Sequence, residues 1–281
     1  MRSRCMTLST WLFAAMAAFP AGVSAGLTIE VPSEKAPTIS RAFINAKPGD
    51  TVVVNNGVYH ERILAAIGVV LRARTRFAAI IDGKGRGTVV TMGKNTVIDG
   101  FVVRNGTIGI MAKNTGTAVL NCRIVNNWQT GIICVRQLPL IEHNVIAFNR
   151  GSGIQGWDVR ALGGKISHNT IAYNGNHGIA IGGKSSVVIS MNVIAHNERF
   201  GVKINPEVES ATITENDFFQ NLWTPTPLPD RNFTYDPKFA GAKGKMDFSI
   251  TATSCSGCPQ DNQPGARLQS SDGQSMGGEK Y

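Results

Sequence analysis

The segment Ile141-Glu142-His143-Asn144-Val145-Ile146-Ala147-Phe148-Asn149 decides the fold, because variants of it recur between Phe101 and Asn221. Each copy contains an apolar residue followed three positions later by Asn. The apolar positions lie 22 to 25 residues apart and are Val102, Ile124, Ile146, Ile171, Ile194 and Phe218. The paired asparagines are Asn105, Asn127, Asn149, Asn174, Asn197 and Asn221. A period of this length predicts a solenoid, in which each unit buries its apolar face against the next unit.

A column of glycines accompanies the asparagines. Four positions after each of the first five asparagines stands a glycine followed by Ile or Val: Gly109, Gly131, Gly153, Gly178 and Gly201. Stacked coils place equivalent residues above one another at the sheet spacing of roughly 4.8 Å. We therefore expect the Asn side chains to hydrogen-bond along the solenoid axis, and the glycines to permit a tight bend. Both columns are interpreted as structural.

The segments around the repeats predict a capped, all-β domain over residues 26–250. Residues 38–46 place apolar side chains at helical spacing, with Thr38 as the N-cap, and indicate a short helix that closes the first coil. Within the repeats the strands are three to five residues long with no helical segment between them, which excludes βαβ folds. The proline-rich residues 223–229 cannot form a central strand, so the chain is expected to leave the stack there. Residues 251–281 are polar and are expected to be disordered.

The first 25 residues have the pattern of a signal peptide. Arg2 and Arg4 precede an apolar stretch from Leu8 to Phe19, and Val23-Ser24-Ala25 resembles a cleavage site. A retained membrane anchor is the alternative, although the apolar stretch is shorter than the roughly 20 residues that a spanning helix needs. We expect an exported protein of the bacterial periplasm or the extracellular space, with no membrane span.

The net charge and the cysteine content of the chain exclude few classes of binding partner. The 28 Lys and Arg residues against 19 Asp and Glu give a net charge of +9, without runs of like charge or basic-aromatic clusters. Nucleic acid is therefore not an expected partner, whereas an acidic polysaccharide or oligosaccharide suits a cationic exported protein. We expect a monomer. Cys122 and Cys134 are interpreted as small core residues, and Cys255 and Cys258 as a structural clasp.

The repeat resembles that of right-handed parallel β-helix proteins of the pectin-lyase-like class. The opening segment Ala46-Lys47-Pro48-Gly49-Asp50-Thr51-Val52-Val53-Val54 is similar to the N-terminal cap and first coil of that class. The resemblance covers about residues 36–250 and implies a single-stranded right-handed parallel β-helix. It also implies three activity types, namely polysaccharide lyase, uronate epimerase and glycoside hydrolase, but the fold alone does not select among them.

The sequence lacks the catalytic residues that two of these activities, glycoside hydrolase and uronate epimerase, require. A glycoside hydrolase needs two carboxyl groups beside the scissile bond. Asn176-His177-Gly178 resembles part of the polygalacturonase pattern, but the preceding coils carry no paired aspartates in the corresponding segments. The epimerase motif Asp-Pro-His-Asp is also absent, since Asp236-Pro237-Lys238-Phe239 shares only its first two residues.

Lyase chemistry is the favoured catalytic option. It requires a base and a group that neutralises the carboxylate of the uronate. Coil stacking is expected to bring Arg150, His177 and Arg199 together, with Lys203 facing outward beside them. The catalytic candidates are Arg150, His177 and Lys203, and solvated turn residues are the alternative interpretation. Calcium would need clustered acidic ligands, and the acids of the repeats are scattered, so the cofactor stays unknown.

Two features suggest sugar contacts. Phe148 and Tyr173 occupy equivalent positions below His196 and predict a stacked aromatic strip, which serves either as a sugar platform or as packing. The longest repeat adds Trp157-Asp158-Val159-Arg160 beyond its strand, and lengthened turns commonly border binding grooves. Trp157, Asp158 and Arg160 are therefore candidate substrate contacts.

His143 and His168 also occupy one column, but we found no third ligand aligned with them and predict no metal site. Two functions remain open with equal weight. The first is a protein that acts on an acidic, uronate-containing polysaccharide, with β-elimination as its chemistry. The second is a non-catalytic binding or scaffold protein for exopolysaccharide assembly or periplasmic metal delivery.

Overall fold

The computed structural model describes residues 26–160, 164–224, 228–229, 231–241 and 247–250. In these ranges the chain is a right-handed parallel β-helix of about eight coils, which confirms the predicted fold class. A complete coil contributes one strand to each of three parallel sheets, named sheets I, II and III in the order in which the chain enters them. The predicted signal peptide and the whole predicted tail of residues 251–281, with Cys255 and Cys258, lie outside the described residues.

The strands of the three sheets are short. Sheet I contains Thr28–Val31, Thr51–Val54, Val70–Ala73, Val97–Asp99, Ala118–Leu120, Leu140–Glu142, Gly164–Ser167, Ser186–Ser190 and Ser210–Thr214. Sheet II contains Gly57–Tyr59, Ala79–Asp82, Val102–Arg104, Arg123–Val125, Val145–Ala147, Thr170–Ala172, Val193–Ala195 and Asp217–Phe219. Sheet III contains Ile63–Leu64, Thr88–Met92, Ile108–Ala112, Ile132–Val135, Ile154–Trp157, Ile179–Ile181 and Val202–Ile204. A separate antiparallel pair is formed by Phe239–Gly241 and Asp247–Ile250.

A short helix closes the first coil, as predicted. It spans Ile39–Asn45, and the side chain of Thr38 caps it by accepting a hydrogen bond from the backbone N–H of Arg41 at 3.1 Å. Its buried face covers the open end of the apolar interior, which would otherwise meet water. No helix among the described residues is long and apolar enough to cross a membrane.

Two ladders of buried asparagines fix the turns. The first runs through Asn144, Asn169, Asn192 and Asn216 on the turn from sheet I to sheet II. The second runs through Asn127, Asn149, Asn174, Asn197 and Asn221 on the turn from sheet II to sheet III. Each Nδ2 donates to the Oδ1 of the next coil at 2.8–3.0 Å, and carbonyl groups take the remaining Nδ2 protons. The buried amides are thus satisfied without water.

The sequence alignment of the first repeat was wrong by one residue. Val103, not Val102, pairs with Ile124, and Gly106 stands in the ladder position, where its N–H donates to Asn127 Oδ1. Asn105 instead has a positive φ of 55°, like Asn126 one coil later. Asn suits both the ladder and the left-handed position, so the residue type did not distinguish them.

The chain leaves the regular repeat after Asn221 and adds one further rung to the end of the stack. Asn216 Nδ2 donates to Oδ1 of Asn232 at 3.0 Å, which extends the first ladder. Phe233 forms a bridge to Asp217. The chain then turns back, and Phe248 becomes buried against the outer face of sheet II.

Cys122 and Cys134 are buried free cysteines, which agrees with their interpretation as core residues. Burial raises the pKa of both thiols to about 12. Cys122 replaces an asparagine of the first ladder, and its backbone N–H still donates to Asn144 Oδ1 at 2.8 Å.

Candidate functional site

A groove with a volume of about 1120 Å³ lies over the C-terminal coils of sheet III. It is named here the sheet III groove. Its floor comes from the strands Ile154–Trp157, Ile179–Ile181 and Val202–Ile204, and its walls from the turns that precede and follow them. Five candidate residues of the sequence analysis line it: Trp157, Asp158, Arg160, His177 and Lys203.

The floor side chains change character along the groove. Strand register places Gln155, Ala180 and Lys203 above one another on the outer face of sheet III. In the coil before them the same column holds Ile133. Small and polar side chains therefore replace an apolar one where the groove begins, and Lys203 supplies an exposed ammonium group at its far end.

His177 forms part of the groove wall and is only 8% exposed. Its Nδ1 atom accepts a hydrogen bond from the backbone N–H of Phe200 at 3.2 Å, and its ring packs on the Phe200 ring at a centroid distance of 5.6 Å. Burial lowers the pKa of His177, and the charges of Lys203 and Arg199 lower it further. The imidazole is therefore neutral at pH 7, with its proton on Nε2.

The lengthened turn forms the rim. Trp157 ends its strand and is 58% exposed, while the following Asp158 has a positive φ of 46°. Arg160 donates to both carboxylate oxygens of Asp158, at 3.0 and 3.1 Å. Val159 between them is fully buried and anchors the turn. Asp158 and Arg160 thus hold each other beside the indole.

The sequence analysis missed the continuation of this rim in the next two coils. It contains Lys184, Asn205, Glu207 and Glu209. The carboxylate of Glu207 accepts hydrogen bonds from Gly183 N–H at 3.3 Å and from Asn205 Nδ2 at 3.4 Å. Hydrogen bonds from its own backbone N–H and from that of Gly183 lower the pKa of Glu207. Cationic and anionic side chains therefore occupy separate positions in the groove.

Arg150 lies apart from the groove, so the expected cluster of Arg150 with His177 and Lys203 does not form around one depression. The guanidinium carbon of Arg150 lies 4.0 Å from the ring centroid of Trp128. Both residues line a smaller depression together with Phe148. Stacking of an exposed turn cation on an indole accounts for this arrangement.

The predicted aromatic strip is present on the outside of sheet II. Phe148 stacks on Tyr173 at 5.3 Å between centroids, and Tyr173 stacks on His196 at 4.6 Å. Phe248 packs against both Phe148 and Tyr173, and Phe239 packs against Tyr173. The strip thus receives the returning C-terminal segment on part of its surface, and its other part borders a shallow depression. Burial raises the pKa of Tyr173.

His143 and His168 stack as the sequence suggested, with ring centroids 5.0 Å apart. Within the described ranges, no three side chains of His, Cys, Asp or Glu converge in a metal-binding arrangement.

Two of the solved structures that are similar to this chain are lyases. A PL6 family alginate lyase, AlyGC, aligns with a TM-score of 0.54 at 18% identity, over 70% of this chain and 32% of the lyase. A mannuronic acid specific polysaccharide family 6 lyase from human gut microbiota aligns with a TM-score of 0.49 at 18% identity, over 70% of this chain and 53% of that enzyme. This chain therefore spans between a third and about half of their lengths. At this identity the likeness shows the fold alone.

No curated protein matches the sequence. One family model does, and its description is that of the periplasmic copper-binding protein NosD. The match extends over residues 43–227, which includes every coil that lines the sheet III groove and the whole second asparagine ladder. Because it spans more than half of the chain, the protein belongs to the NosD family of periplasmic copper-binding proteins.

Proposed function

We propose that the sheet III groove binds an acidic, uronate-containing polysaccharide in the periplasm or outside the cell. The observation that carries this proposal is the meeting of three kinds of group in one groove: the exposed indole of Trp157, the neutral imidazole of His177 and the ammonium group of Lys203. An exposed aromatic face packs on the apolar face of a sugar ring. Cations and N–H donors pair with uronate carboxylates.

The groove residues favour β-elimination as the chemistry. In that reaction a base removes the proton on C5 of the uronate, the C4–O glycosidic bond breaks, a C4=C5 double bond forms, and the departing oxygen takes a proton from the protonated base or from solvent water. Lys203 is the base in this proposal, acting after it has released its ammonium proton to solvent. His177 is the donor, because its Nδ1 lone pair is already engaged by Phe200. The Nε2–H group is then available to the uronate carboxylate, whose negative charge grows as the C5 proton leaves.

The experiment is an incubation of the exported protein with a panel of uronate polysaccharides, followed by the absorbance of unsaturated chain ends. We expect product formation, and a decrease of about 100-fold or more in rate for Lys203→Met. The control is Lys113→Met, which removes an exposed lysine beyond the groove. Binding is measured separately by calorimetry with oligouronates.

The outcomes separate binding from turnover. Binding without product, lost in Trp157→Ala, supports a carbohydrate-binding protein and removes the lyase step. Equal rates for Lys203→Met and Lys113→Met remove Lys203 as the base. A protein that binds no uronate polysaccharide at all contradicts the proposed function of the groove.

A second candidate function is periplasmic copper binding. The observation that favours it is the family to which the chain belongs. Copper would then be cargo rather than a catalytic cofactor, and the sheet III groove would have no part in holding it. The donor atoms that could hold it have to be found elsewhere on the chain.

A further inference from the structure

One column of turn residues lies between sheets I and II. It contains Asn121, His143, His168, Met191 and Glu215, whose φ angles of 51–59° are all left-handed. The residues before them, Leu120, Glu142, Ser167, Ser190 and Thr214, are paired in register from coil to coil. Identical backbone conformation and fixed register make the five side chains leave the turn one above another, one coil apart.

The two ends of this column are occupied by polar pairs. Asn121 Nδ2 donates to Asp99 Oδ1 at 2.8 Å, and Arg76 donates to Asn121 Oδ1. At the other end Arg231 donates to the carboxylate of Glu215. Between these ends stand two imidazoles and one thioether in consecutive coils, from His143, His168 and Met191.

The geometry of the central three residues suits a metal ion of low coordination number. The rings of His143 and His168 are 5.0 Å apart between centroids and inclined by 29°. Two ring nitrogens bound to one ion at about 2.0–2.1 Å need to approach to roughly 3.3–4 Å. Rotation about the broad χ2 torsions of the two rings is a low-energy way to close this gap. His143 is exposed, so its ring has room to turn.

The donor set selects the metal. Thioether and imidazole ligands favour monovalent copper, whereas calcium and magnesium need oxygen ligands. Zinc prefers thiolate, imidazole and carboxylate, and the centre of the column supplies no thiolate. Glu142 adds negative charge beside His143, although its carboxylate is held by Lys165 at 2.7 Å and Ser167 at 2.5 Å. A cation beside this column therefore meets soft ligands and a nearby carboxylate.

We propose that His143, His168 and Met191 bind one monovalent copper ion on the outer surface of the turn between sheets I and II. The inference rests on the second candidate function, copper binding, and identifies its site. The proposal departs from the prediction that no third ligand aligns with the two histidines, since Met191 follows His168 in the same column. The site lies on an exposed turn, where a partner could take the ion by ligand exchange.

The test is an anaerobic titration with monovalent copper in competition with a chromophoric chelator such as bicinchoninate. The full chain carries Cys255→Ser and Cys258→Ser throughout, so that thiols of the C-terminal segment do not contribute. We expect one ion per chain. His143→Asn, His168→Asn and Met191→Leu should each weaken binding by at least about tenfold.

The variants are chosen to preserve the fold. Asn already occupies this column at position 121 with a φ of 51°, so it suits the left-handed turn, and Leu retains the volume of Met. The control is His196→Asn, which removes one histidine from a left-handed position on the other turn, where Asn126 stands in an earlier coil. Circular dichroism checks that all variants unfold at similar temperatures.

A second measurement does not depend on affinity. X-ray absorption of the copper-loaded chain should show nitrogen and one sulfur neighbour, and the sulfur signal should vanish in Met191→Leu while the nitrogen signal remains. If the chain binds no copper, both the second candidate function and this site are wrong. If copper binds equally well in the three site variants and the control, copper binding stands and this site is wrong.

Discussion

The Nδ1 atom of His177 accepts a hydrogen bond from the backbone N–H of Phe200, one coil further along the stack, at 3.2 Å. A neutral imidazole has one lone pair and one N–H, so this bond places the proton on Nε2. It thereby excludes His177 Nε2 as a base or a metal ligand as long as the bond persists. The charges of the nearby Lys203 and Arg199 also disfavour the addition of a second proton to the imidazole.

The pKa of His177 should therefore lie below its ordinary value of 6.5 and respond to Lys203. Burial is the largest cause of the lowering, so Lys203→Met should raise the pKa of His177 only part of the way back. NMR titration of the imidazole carbon-bound protons measures it, and two-bond nitrogen couplings report the Nε2–H tautomer. Lys184→Met is the control, because Lys184 lines the groove but does not act on His177. An Nδ1–H tautomer would contradict the prediction.

The lowered pKa of His177 also predicts that the stability of the folded chain depends on pH. The unfolded chain takes up a proton on His177 near pH 6.5 while the folded chain resists it, so stability is full above that pH and is lost as the pH falls. His177→Asn should therefore lose less free energy of unfolding than the wild type between about pH 7 and pH 5. Urea unfolding at each pH measures the difference. A steeper loss in His177→Asn would show that the pKa is not lowered.

The second asparagine ladder should be costly to interrupt. Asn174 Nδ2 donates to Asn197 Oδ1 and to the carbonyl of Ile146, and its Oδ1 accepts from the N–H and Nδ2 of Asn149. Asn174→Ala leaves several of these buried groups unpaired, each at about 1–3 kcal/mol. We expect a loss of about 3 kcal/mol or more in urea unfolding. Asn56→Ala, on an exposed turn, should change stability by less than about 0.5 kcal/mol.

The fold could be predicted because the residues that build it repeat. A ladder asparagine has the same surroundings in every coil, so its type recurs with the period of the coil. The register of the first repeat was missed because Asn105 occupies the left-handed position that Asn126 also fills, and Gly106 occupies the ladder. Residue type alone does not separate two adjacent positions that both favour Asn.

The groove could be predicted only in part, for a related reason. Part of its rim consists of Asn205, Glu207 and Glu209, which lie on a turn from sheet III to sheet I. Those turns differ in length and sequence from coil to coil, so no period marks which residues meet. Trp157 was found because its turn is unusually long. Arg150 was placed wrongly because its contact with Trp128 depends on side-chain direction, which spacing does not give.

The first ladder can be extended by one rung. The Sγ atom of Cys122 lies 3.1 Å from the carbonyl oxygen of Leu120 and 3.9 Å from that of Ile98. One coil later, Asn144 Nδ2 donates to the equivalent carbonyls of Glu142 and Val119. In Cys122→Asn, the new Nδ2 group should therefore have the carbonyl oxygens of Leu120 and Ile98 as hydrogen-bond acceptors.

We expect Cys122→Asn to raise the free energy of unfolding by about 0.5–1.5 kcal/mol for each new hydrogen bond. Cys122→Ala, which only removes the thiol, should lower it. Urea unfolding of the three proteins decides the order, and an asparagine variant less stable than the alanine variant would contradict the prediction. The wild-type thiol, whose pKa burial raises to about 12, should react with iodoacetamide only after unfolding.

Asp217 should make the C-terminal end of the stack sensitive to pH. Its carboxylate is 4% exposed and accepts a hydrogen bond from the N–H of Tyr235 at 2.8 Å. Burial raises the pKa of Asp217 to about 7, and the charge of Asp236 adds to the rise. A raised pKa in the folded state means that the contribution to stability is full below the unfolded pKa and is lost as the pH rises through about 7.

Asp217→Asn should remove this loss, because an amide keeps an acceptor for Tyr235 and carries no charge. One pKa unit corresponds to about 1.4 kcal/mol, so at pH 8 the variant should gain up to about 4 kcal/mol over the wild type. Below pH 4 the two proteins should be nearly equal in stability, since the wild-type carboxyl is protonated in both states. Thermal unfolding from about pH 4 to pH 8 measures how the stability of the two proteins changes with pH. The control is Asp236→Asn, at an exposed carboxylate, which should change the stability less than Asp217→Asn does. Parallel curves for wild type and Asp217→Asn would mean that this buried carboxyl ionises normally, and that the hydrogen bond from Tyr235 offsets its burial.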